Sequence, residues 1–533
     1  MTDAAPEVAH PASAWAPLQY PVFRAVWLAS VASNIGTWMH DASAGWMMTS
    51  LSPSPLMVAL MQTATSLPFF LLAVPAGALA DVVDRRRILI AAQTVMMLAA
   101  AALGLLTLAH LTAPWVLLGV TFVLGIGGAM TAPAWQAITP ELVPRPELPA
   151  AIALGGMAVN VARAVGPALG GLLVAAVGPG WVFLLNAGSF LTILGVLALR
   201  YRSEPDGEPL GEDVLGAMRA GVRYVRYASP FRTVLIRSSA FILPASGLWA
   251  LLPIVARHTL GLDAVGYGAL LGCLGVGAIA AAIALPRLRR MVPLERLLVA
   301  ATLGFAASAV FLGGVRVVPL VAVALVGGGF AWLTTMSSIT TAAQQAVPGW
   351  VRARALAVSL LVIQGGLAFG SLLWGTVATH ASVPVALFAA AATLVASLAI
   401  TRTHPLTAVE GLDLRPTRHW QEPVLHAEPQ PTDGPVLVTV DYHVEPGDED
   451  AFAAAMADLC RVRRRDGAFE WRLFRDTADP VHWVETFLVD SWAEHMRQHH
   501  RVTQADRAVE DRAYAFNRGG RPVVRHLIAH REA

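Results

Sequence analysis

The sequence predicts an all-α membrane protein with twelve transmembrane helices in two six-helix halves, followed by a C-terminal α+β cytoplasmic domain. Of the 533 residues, 56% are hydrophobic and 14% are charged, whereas soluble globular domains average about 45–50% and about 25%. Residues 1–402 hold 22 Arg against 14 acidic residues, and residues 403–533 hold 16 Arg against 22. The chain therefore joins a lipid-soluble body to a water-soluble tail, which argues against one large soluble enzyme.

Composition also excludes several kinds of site. All 38 basic residues counted as Lys plus Arg are Arg, because the chain has no lysine. A Walker A phosphate loop, a Schiff-base lysine and a Ser-x-x-Lys nucleophile are therefore excluded. The two cysteines, Cys273 and Cys460, cannot form a disulfide framework or a cysteine-based zinc site. We expect no cofactor, no metal and no nucleic-acid partner.

The first elements are a short lead and the membrane spans. Residues 1–21 contain Asp3 and Glu7 but no basic residue, so they do not resemble a secretory signal peptide. A helix needs about 20 mostly apolar residues to cross roughly 30 Å of hydrocarbon. Twelve stretches qualify, and they form an N-terminal half over 22–200 and a C-terminal half over 232–402: 22–49, 55–80, 87–110, 113–138, 149–177, 180–200, 232–257, 263–286, 294–314, 317–345, 353–380 and 383–402.

Arginine predicts the orientation of these spans, because basic loops stay in the cytoplasm. Loops after the even-numbered stretches carry most of the loop arginines, including Arg85, Arg145 and Arg289. Loops after the odd-numbered stretches carry only Arg257 and Arg316. We therefore expect a multi-pass protein of the cytoplasmic (inner) membrane, surrounded by lipid, with both termini inside.

The body repeats itself. Phe23-Arg24 opens the first stretch, and Phe231-Arg232 opens the seventh at an offset of 208 residues. At an offset of 204, three residues of the fifth stretch match three of the eleventh: Asn160 with Gln364, Gly166 with Gly370 and Gly171 with Gly375. Duplicated halves of this kind place a substrate site between them, near the bilayer midplane.

The segment between the halves, residues 201–231, contains a basic amphipathic helix predicted over Val214–Tyr227. Its apolar side chains share one face, and Arg219, Arg223 and Arg226 are spaced to meet anionic headgroups. We interpret it as a linker helix on the membrane surface rather than as a regulatory element.

A pattern of glycine, acids and arginines follows the second stretch: Gly77, Asp81, Asp84, Arg85, Arg86 and Arg87. With twelve spans, duplicated halves and a basic middle segment, it resembles the major facilitator superfamily of secondary transporters and its motif A. The resemblance implies that Gly77 allows close helix approach, that Asp81 bonds a neighbouring helix N-terminus and that the arginines bind headgroups. It also implies that this loop latches the outward-open state.

The fifth stretch contains Gly166, Pro167, Gly170 and Gly171, similar to motif C of the exporter branch. Gly-Pro kinks a membrane helix, and the glycine pair lets another backbone come close; ordinary small-residue packing is the alternative. With Ser33-Asn34 and Gly36-Thr37-Trp38, the pattern over residues 20–400 resembles enterobactin-exporter-like transmembrane secretion effectors. That resemblance implies export of an organic small molecule.

Ionisable side chains inside membrane spans are costly and are functional hypotheses by default. Only Asp41 and Arg163 lie well inside the predicted stretches. We hypothesise that they pair in one state and that protonation of Asp41 loosens the pair during transport; a permanent structural ion pair is the equal alternative. The superfamily's motif B arginine is missing here, where Thr121 and Leu124 precede Gly125-Ile-Gly127.

The superfamily resemblance also implies a central cavity lined by the first, fourth, seventh and tenth spans. Polar and aromatic residues on these and adjacent spans are the candidate substrate contacts: Trp38, Gln136, Asn160, Trp332, Thr334, Ser338, Thr341 and Gln364. This mixture suits a bulky, partly apolar organic solute rather than a small ion or a sugar. For each tryptophan taken alone, interfacial anchoring or core packing is the simpler interpretation.

After a Pro-rich linker over 403–434, the tail over 435–533 is predicted to run strand, helix, strand, strand, helix, strand. Val436, Val438, Val440 and Tyr442 alternate with other residues as in a half-buried strand. This order is the ferredoxin-like split βαβ arrangement. It resembles the antibiotic biosynthesis monooxygenase-like module, whose members usually pair through their sheets, so a homodimer through the tail is implied.

Two tail histidines, His495 and His499, lie four residues apart and could bind a metal together with His526. Because Trp492 and Val502 share their helix face, we interpret the histidines as packing residues instead.

Together these observations predict a transporter rather than an enzyme: a proton-coupled antiporter that exports an organic small molecule, such as a siderophore or an antibiotic, by alternating access. The rival is a membrane-tethered, cofactor-free oxygenase or ligand sensor that acts through the tail and uses the body as an anchor. Asp81 and the glycines of Gly166–Gly171 favour transport, since an anchor needs neither.

Overall fold

The computed structural model describes residues 15–199, 214–409, 411–417, 419–420 and 429–529. These residues form two compact units. The first combines the described residues of 1–208, 237–338 and 360–403, and the second combines those of 209–236, 339–359 and 404–533. The first unit is the helical body, and the second joins the middle segment, a connection near residue 350 and the tail.

The helices before the tail coincide with the predicted stretches. Asp84 and Asp263 cap α3 and α9 by accepting hydrogen bonds from backbone amides of the first turn. Each predicted stretch overlaps one long helix, and α7 is the predicted middle helix. The bounds are α1 Pro21–Leu51, α2 Pro55–Val82, α3 Arg85–Leu108, α4 Pro114–Leu142, α5 Leu148–Val177, α6 Pro179–Leu199, α7 Val214–Tyr227, α8 Ser229–Ile254, α9 Ala264–Met291, α10 Leu294–Gly314, α11 Val318–Gln345, α12 Arg352–His380 and α13 Val383–Thr403.

Eleven helices among the described residues are long and apolar enough to cross a membrane. α1 is long enough, with 31 residues, but it is not among those eleven. It carries Arg24, Asn34, His40 and Asp41, which lower its hydropathy. The body is therefore a multi-pass membrane domain.

Two of the repeated glycines pack a helix against its own half. A Cβ atom on Gly166 of α5 would lie 2.6 Å from the Trp38 Cβ in α1. In the same way, a Cβ atom on Gly370 of α12 would overlap the Leu243 carbonyl oxygen in α8. Both helix pairs approach so closely that only hydrogen fits at these positions.

The next repeated glycines pack the same helices against the opposite half. A Cβ atom on Gly171 of α5 would overlap the Ala264 carbonyl oxygen in α9, and one on Gly375 of α12 would lie 2.5 Å from the Ala59 Cβ in α2. The sequence repeat is therefore also a repeat of contacts, because α5 and α12 make equivalent crossings in the two halves.

The tail contains a four-stranded antiparallel sheet in the order β2-β3-β1-β4. Its elements follow the predicted order, except that the second helical segment is two helices, because Thr503 and Asp506 form a capping box that begins α16. The bounds are β1 Val436–His443, α14 Glu449–Asp466, β2 Phe469–Arg475, β3 His482–Val489, α15 Trp492–Arg501, α16 Gln504–Tyr514 and β4 Val523–Ile528.

Buried charges and apolar side chains hold the tail together. Val436, Val438, Val440 and Tyr442 are at most 2% exposed, as the alternation predicts. Arg463 of α14 lies 3.2 Å from Glu485 of β3 and 2.8 Å from Glu510 of α16, and all three side chains are at most 5% exposed. A buried arginine is tolerated here because two carboxylates neutralise it.

Three histidines of the tail come together at one end of the sheet. His495 is 2% exposed, and its ring packs 5.4 Å from that of Trp492. Burial lowers the pKa of His495 to about 3 and that of His499 to about 4, and it also lowers the pKa of His526. All three imidazoles are therefore neutral at physiological pH.

Helix α7 packs against the tail through one of its arginines. Arg223 Nη2 lies 3.1 Å from Glu494 Oε1 in α15, and Arg223 Nε donates to the Arg465 carbonyl. Arg223 therefore has a carboxylate of the tail as a partner, and its contact with anionic headgroups stays a prediction. Arg219 and Arg226 are exposed, as expected.

The connection between α11 and α12 belongs to the same unit. Tyr224 of α7 is 2% exposed and donates a hydrogen bond of 2.7 Å to the Ala346 carbonyl. Arg501 of α15 lies over the Trp350 ring, 4.6 Å from its centroid. The tail therefore contacts two connections between membrane helices.

Replacing Arg223 with alanine is expected to loosen α7 from the tail while the tail stays folded. Glu494 retains Arg497 and Arg501 as partners, so the change removes the two hydrogen bonds of the Arg223 guanidinium, to Glu494 and to the Arg465 carbonyl, and each charged hydrogen bond is worth about 1.5–3 kcal/mol. Hydrogen exchange followed by mass spectrometry should show amides of residues 219–227 exchanging at least about tenfold faster. Arg219→Ala, at an exposed arginine of the same helix, is the control. Equal exchange in both variants would contradict this docking.

Candidate substrate pathway

Helices α1 and α5 cross closely because α5 presents glycines at the crossing. A Cβ atom on Gly170 would lie 2.9 Å from the Met39 carbonyl oxygen, and Gly166 and Pro167 are buried in the same crossing. Asp41 follows Met39 in α1, and Arg163 precedes Gly166 in α5. The motif C-like segment therefore brings both ionisable residues close to this helix crossing.

Arg163 lies on an aromatic ring. Its guanidinium carbon is 5.2 Å from the centroid of the Trp38 ring, a cation–π contact worth about 0.5–2 kcal/mol. Its Nε atom is buried and has no hydrogen-bond partner among the described residues. Within that part of the chain Arg163 forms no ion pair with Asp41 in this conformation, so their pairing in another state stays a prediction.

Asp41 lies near a tyrosine of the opposite half. A Cβ atom on Gly45, one turn further along α1, would lie 3.4 Å from the Tyr267 hydroxyl oxygen in α9. Trp46 stacks on the Tyr267 ring with 5.7 Å between centroids, so Asp41 lies one helical turn before this contact between the halves. No feature of the sequence indicated Tyr267, because it is remote in the chain and apolar neighbours surround it.

His40 is a second titratable residue of α1 at this depth. It is 1% exposed, and its ring lies 4.6 Å from that of Phe183 in α6. Among the described residues neither ring nitrogen has a hydrogen-bond partner. The sequence placed His40 beside the first span's aspartate, but only the structure shows that it is buried against α6.

In the C-terminal half, the hydroxyl groups of α11 lie close to an arginine of α9. Arg289 Nη2 donates to Ser338 Oγ at 3.1 Å, and Ser338 Oγ donates to the Thr334 carbonyl at 2.7 Å. Thr334 is fully buried, and within the described part of the chain its hydroxyl has no partner. The candidate substrate contacts Thr334 and Ser338 are thus adjacent. Arg289 adds a positive charge beside them, and the sequence did not single it out.

Trp332 belongs to an aromatic cluster inside the same half. Its ring centroid lies 5.9 Å from Phe241, 5.4 Å from Trp249 and 5.8 Å from Phe305. The Nε1 atom of Trp249 is buried and, in the described part of the chain, unpartnered. Core packing therefore accounts for most of the Trp332 surface.

The remaining cavity candidates are more dispersed. Gln136 and Asn160 are exposed, and Thr341 and Gln364 are half-buried. The Asn160 amide donates to the Gly156 carbonyl of its own helix. The structure therefore brings Trp38 together with Arg163, and Thr334 with Ser338, without joining these pairs to Gln136 or Asn160.

The motif A-like arginines have protein partners. Asp84 caps α3 by accepting from the Arg86 and Arg87 amides at 2.8 and 3.3 Å. Arg85 lies 2.6 Å from Glu141 of α4, and Arg86 donates to carbonyls at the end of α6. Arg85 and Arg86 therefore have acceptors within the same half, and their binding of headgroups stays a prediction. Arg87 is exposed.

Gly77 has open space around it. No atom among those described lies within 4 Å of the position that a Cβ atom would take, so the expected close helix approach is absent in this conformation. The side chain of Asp81 lies outside the described part of the structure, and its bond to a helix N-terminus stays a prediction.

The chain matches the sequence model of one family, described as transmembrane secretion effector, over residues 12–533. It is 29% identical over 327 residues to the enterobactin exporter EntS of Escherichia coli O1:K1 / APEC, covering 60% of this chain and 76% of that protein. It is 23% identical over 343 residues to the staphyloferrin A transporter of Staphylococcus aureus (strain NCTC 8325 / PS 47), covering 64% and 85%.

Solved transporters share the fold. A bacterial homologue of the human lysosomal transporter Spinster, inward-facing and unoccupied, superposes with a TM-score of 0.54 at 17% identity, covering 74% of this chain and 96% of that one. A bacterial homologue of the iron transporter ferroportin in an inward-facing state gives a TM-score of 0.56 at 17% identity, covering 72% and 98%. The protein is therefore a member of the transmembrane secretion effector family, whose members are major facilitator superfamily transporters and not enzymes.

Proposed function

We propose that the protein exports an organic small molecule of the siderophore class across the cytoplasmic membrane by alternating access, in exchange for protons. In this proposal α1 is a twelfth span beside the eleven apolar helices, because it packs along α5 and α6 for much of its length. Both termini lie in the cytoplasm, since the arginine-rich loops predict that side to be inside.

The contact between the two halves carries the proposal. Thr63 of α2 donates to the Ala368 carbonyl of α12 at 3.0 Å, and the Leu56 amide donates to Thr379 Oγ1 at 3.1 Å. With the contact of Gly171 in α5, these interactions form two seams between the halves, α2 with α12 and α5 with α9. In the proposed orientation, both seams extend from the outer ends of these helices to about their middles.

Two ion pairs at the opposite ends of the helices each lie within one half. Arg85 pairs with Glu141 in the N-terminal half, and Arg237 pairs with Glu295 at 2.9 Å in the C-terminal half. The open space around Gly77 lies at the same end. This asymmetry supports an inward-open conformation, which receives solute from the cytoplasm and requires the seams to open for release.

The side chains near the proposed pathway support an anionic, partly aromatic solute. Arg163 and Arg289 supply positive charge, Trp38 supplies an aromatic face, and Thr334 and Ser338 supply hydroxyl groups. Carboxylate-bearing or catecholate-bearing chelators present both anionic oxygens and organic rings or chains. The names of the enterobactin and staphyloferrin A relatives support the same class.

Asp41 is the proposed proton carrier. It lies in α1 near Tyr267 of the opposite half, at the α1–α9 contact formed by Trp46 and Tyr267. Protonation would remove a charge from this interface and so favour one arrangement of the halves over the other. Arg163 is the proposed partner of the ionised carboxylate in the alternate state.

We further propose that the tail has a ferredoxin-like fold and pairs with a second copy. The strand order β2-β3-β1-β4 with antiparallel neighbours supports the fold. The edge strand β4 supports pairing, because Val523, Val524, Leu527 and Ile528 are between 38% and 56% exposed. The contacts of Arg223 and Tyr224 favour a tail that acts through the body over an independent oxygenase.

The decisive experiment is transport by the purified protein in liposomes with an imposed pH gradient. Siderophores of the catecholate and hydroxycarboxylate classes should move against their concentration when the gradient is present, and a neutral sugar of similar size should not. Uptake of no candidate, or movement that ignores the gradient, would contradict proton-coupled export. Turnover or ligand binding by the tail with no transport by the protein would favour the enzyme or sensor alternative.

The seams should be sensitive to side-chain size. Gly375→Leu is expected to lower the transport rate at least about tenfold, because the new side chain would overlap Ala59 and Leu56 of α2 and keep the halves from closing on this side. Gly327→Leu is the matched control, since a Cβ atom at Gly327 has no described atom within 4 Å. Wild-type transport by the Gly375 variant would show that this seam does not have to close.

Replacing Asp41 with asparagine should abolish acceleration by the pH gradient while solute still moves down its own gradient, because the amide cannot exchange a proton. The measurement is the ratio of initial rates with and without the gradient. Asp450→Asn, at an exposed carboxylate of the tail, should keep the wild-type ratio. An unchanged ratio in the Asp41 variant would assign coupling to another group.

A further inference from the structure

We propose that the tail binds a divalent first-row transition metal ion through His495, His499 and His526. The ligand nitrogens of these three residues all lie within 4.8 Å of one another. Two come from α15, one turn apart, and the third comes from β4, so secondary structure of two kinds fixes the arrangement. The proposal is independent of what the body transports.

The distances suit one ion. His495 Nε2 and His499 Nε2 are 3.4 Å apart, and two imidazole nitrogens about 2.0–2.1 Å from a tetrahedral zinc ion are separated by roughly 3.3–3.4 Å. The His495 and His526 ring centroids are 4.6 Å apart. His495 and His499 are therefore already at ligand spacing, and His526 reaches it by a small side-chain rotation.

Packing alone leaves polar atoms unsatisfied here. His495 Nδ1 and Gln498 Oε1 are buried and, among the described residues, have no hydrogen-bond partner. A neutral imidazole has one N–H and one lone pair, so a proton on His495 Nδ1 leaves the lone pair of its Nε2 facing His499 Nε2. A metal ion accepts those lone pairs, and imidazole nitrogen is a preferred ligand of Zn²⁺, Fe²⁺, Ni²⁺ and Cu²⁺.

The surroundings admit a cation. Arg463 is the nearby positive charge, and two buried carboxylates, Glu485 and Glu510, neutralise it. Trp420 lies edge-on to His499 with 4.9 Å between centroids, and Trp492 packs on the other side of the cluster. His499 and His526 are only half-buried, so an ion can reach the cluster from solvent.

The test is metal titration of the full-length protein, purified in detergent without a polyhistidine tag and stripped with a chelator. Calorimetry with Zn²⁺ should give one equivalent bound, and Co²⁺ should produce visible absorption typical of nitrogen ligation. His499→Gln and His526→Gln should each weaken binding at least about tenfold. His500→Gln, at the exposed neighbouring histidine, should leave the affinity unchanged.

Two results would overturn the proposal: a wild-type protein whose Co²⁺ spectrum remains that of the hexaaqua ion, or equal affinities in all four proteins. The wild-type spectrum does not depend on the folding of any variant, so the conclusion stands even if one substitution disrupts the tail. Successful metal binding without transport, or transport without metal binding, would separate this inference from the proposed function.

Discussion

The body of this protein depends on close backbone contact at a few glycines. Apolar side chains gain nothing by leaving lipid for one another, so helices in a membrane associate through tight van der Waals packing. Gly166 and Gly370 provide that packing within each half, and Gly171 and Gly375 provide it between the halves. The interface between halves therefore combines close backbone contacts at glycines with aromatic contacts, such as Trp46 on Tyr267 and Phe70 on Phe369.

Charge is handled differently in the two units, although arginine is the only strong cation in both. In the body, Arg163 rests on an aromatic ring, while Arg85 and Arg237 pair within their own halves. In the tail, Arg463 has two buried carboxylates. A planar guanidinium can stack on an aromatic ring and form directional hydrogen bonds at the same time, whereas an ammonium group cannot. This explains how a chain without lysine pairs cations in both an apolar and a polar interior.

Hydropathy and alternation predicted the helices and strands because each depends on local sequence. The span limits, the antiparallel tail and the glycines at helix crossings all follow from patterns within about 30 residues. The sequence could not indicate that Tyr267 stacks on Trp46, or that Arg223 binds Glu494, because such contacts join distant segments. The carboxylate partner of Arg223 was unpredictable for a related reason. An amphipathic helix offers its arginines equally to lipid phosphate and to protein carboxylate, and only the tertiary structure shows which is nearer.

Helix α15 gives the tail its connection to the rest of the chain. Glu494 at its start binds Arg223 of α7, and Arg501 at its end covers Trp350 between α11 and α12. Two connections between membrane helices therefore contact this ten-residue helix, and α14 also contacts α7 through the Arg465 carbonyl. A catalytic domain that merely needed a membrane anchor would gain nothing from these contacts, since a flexible linker would suffice. A ligand at the proposed histidine site would bind the same helix that makes these contacts, because His495 directly follows Glu494 and His499 lies two residues before Arg501.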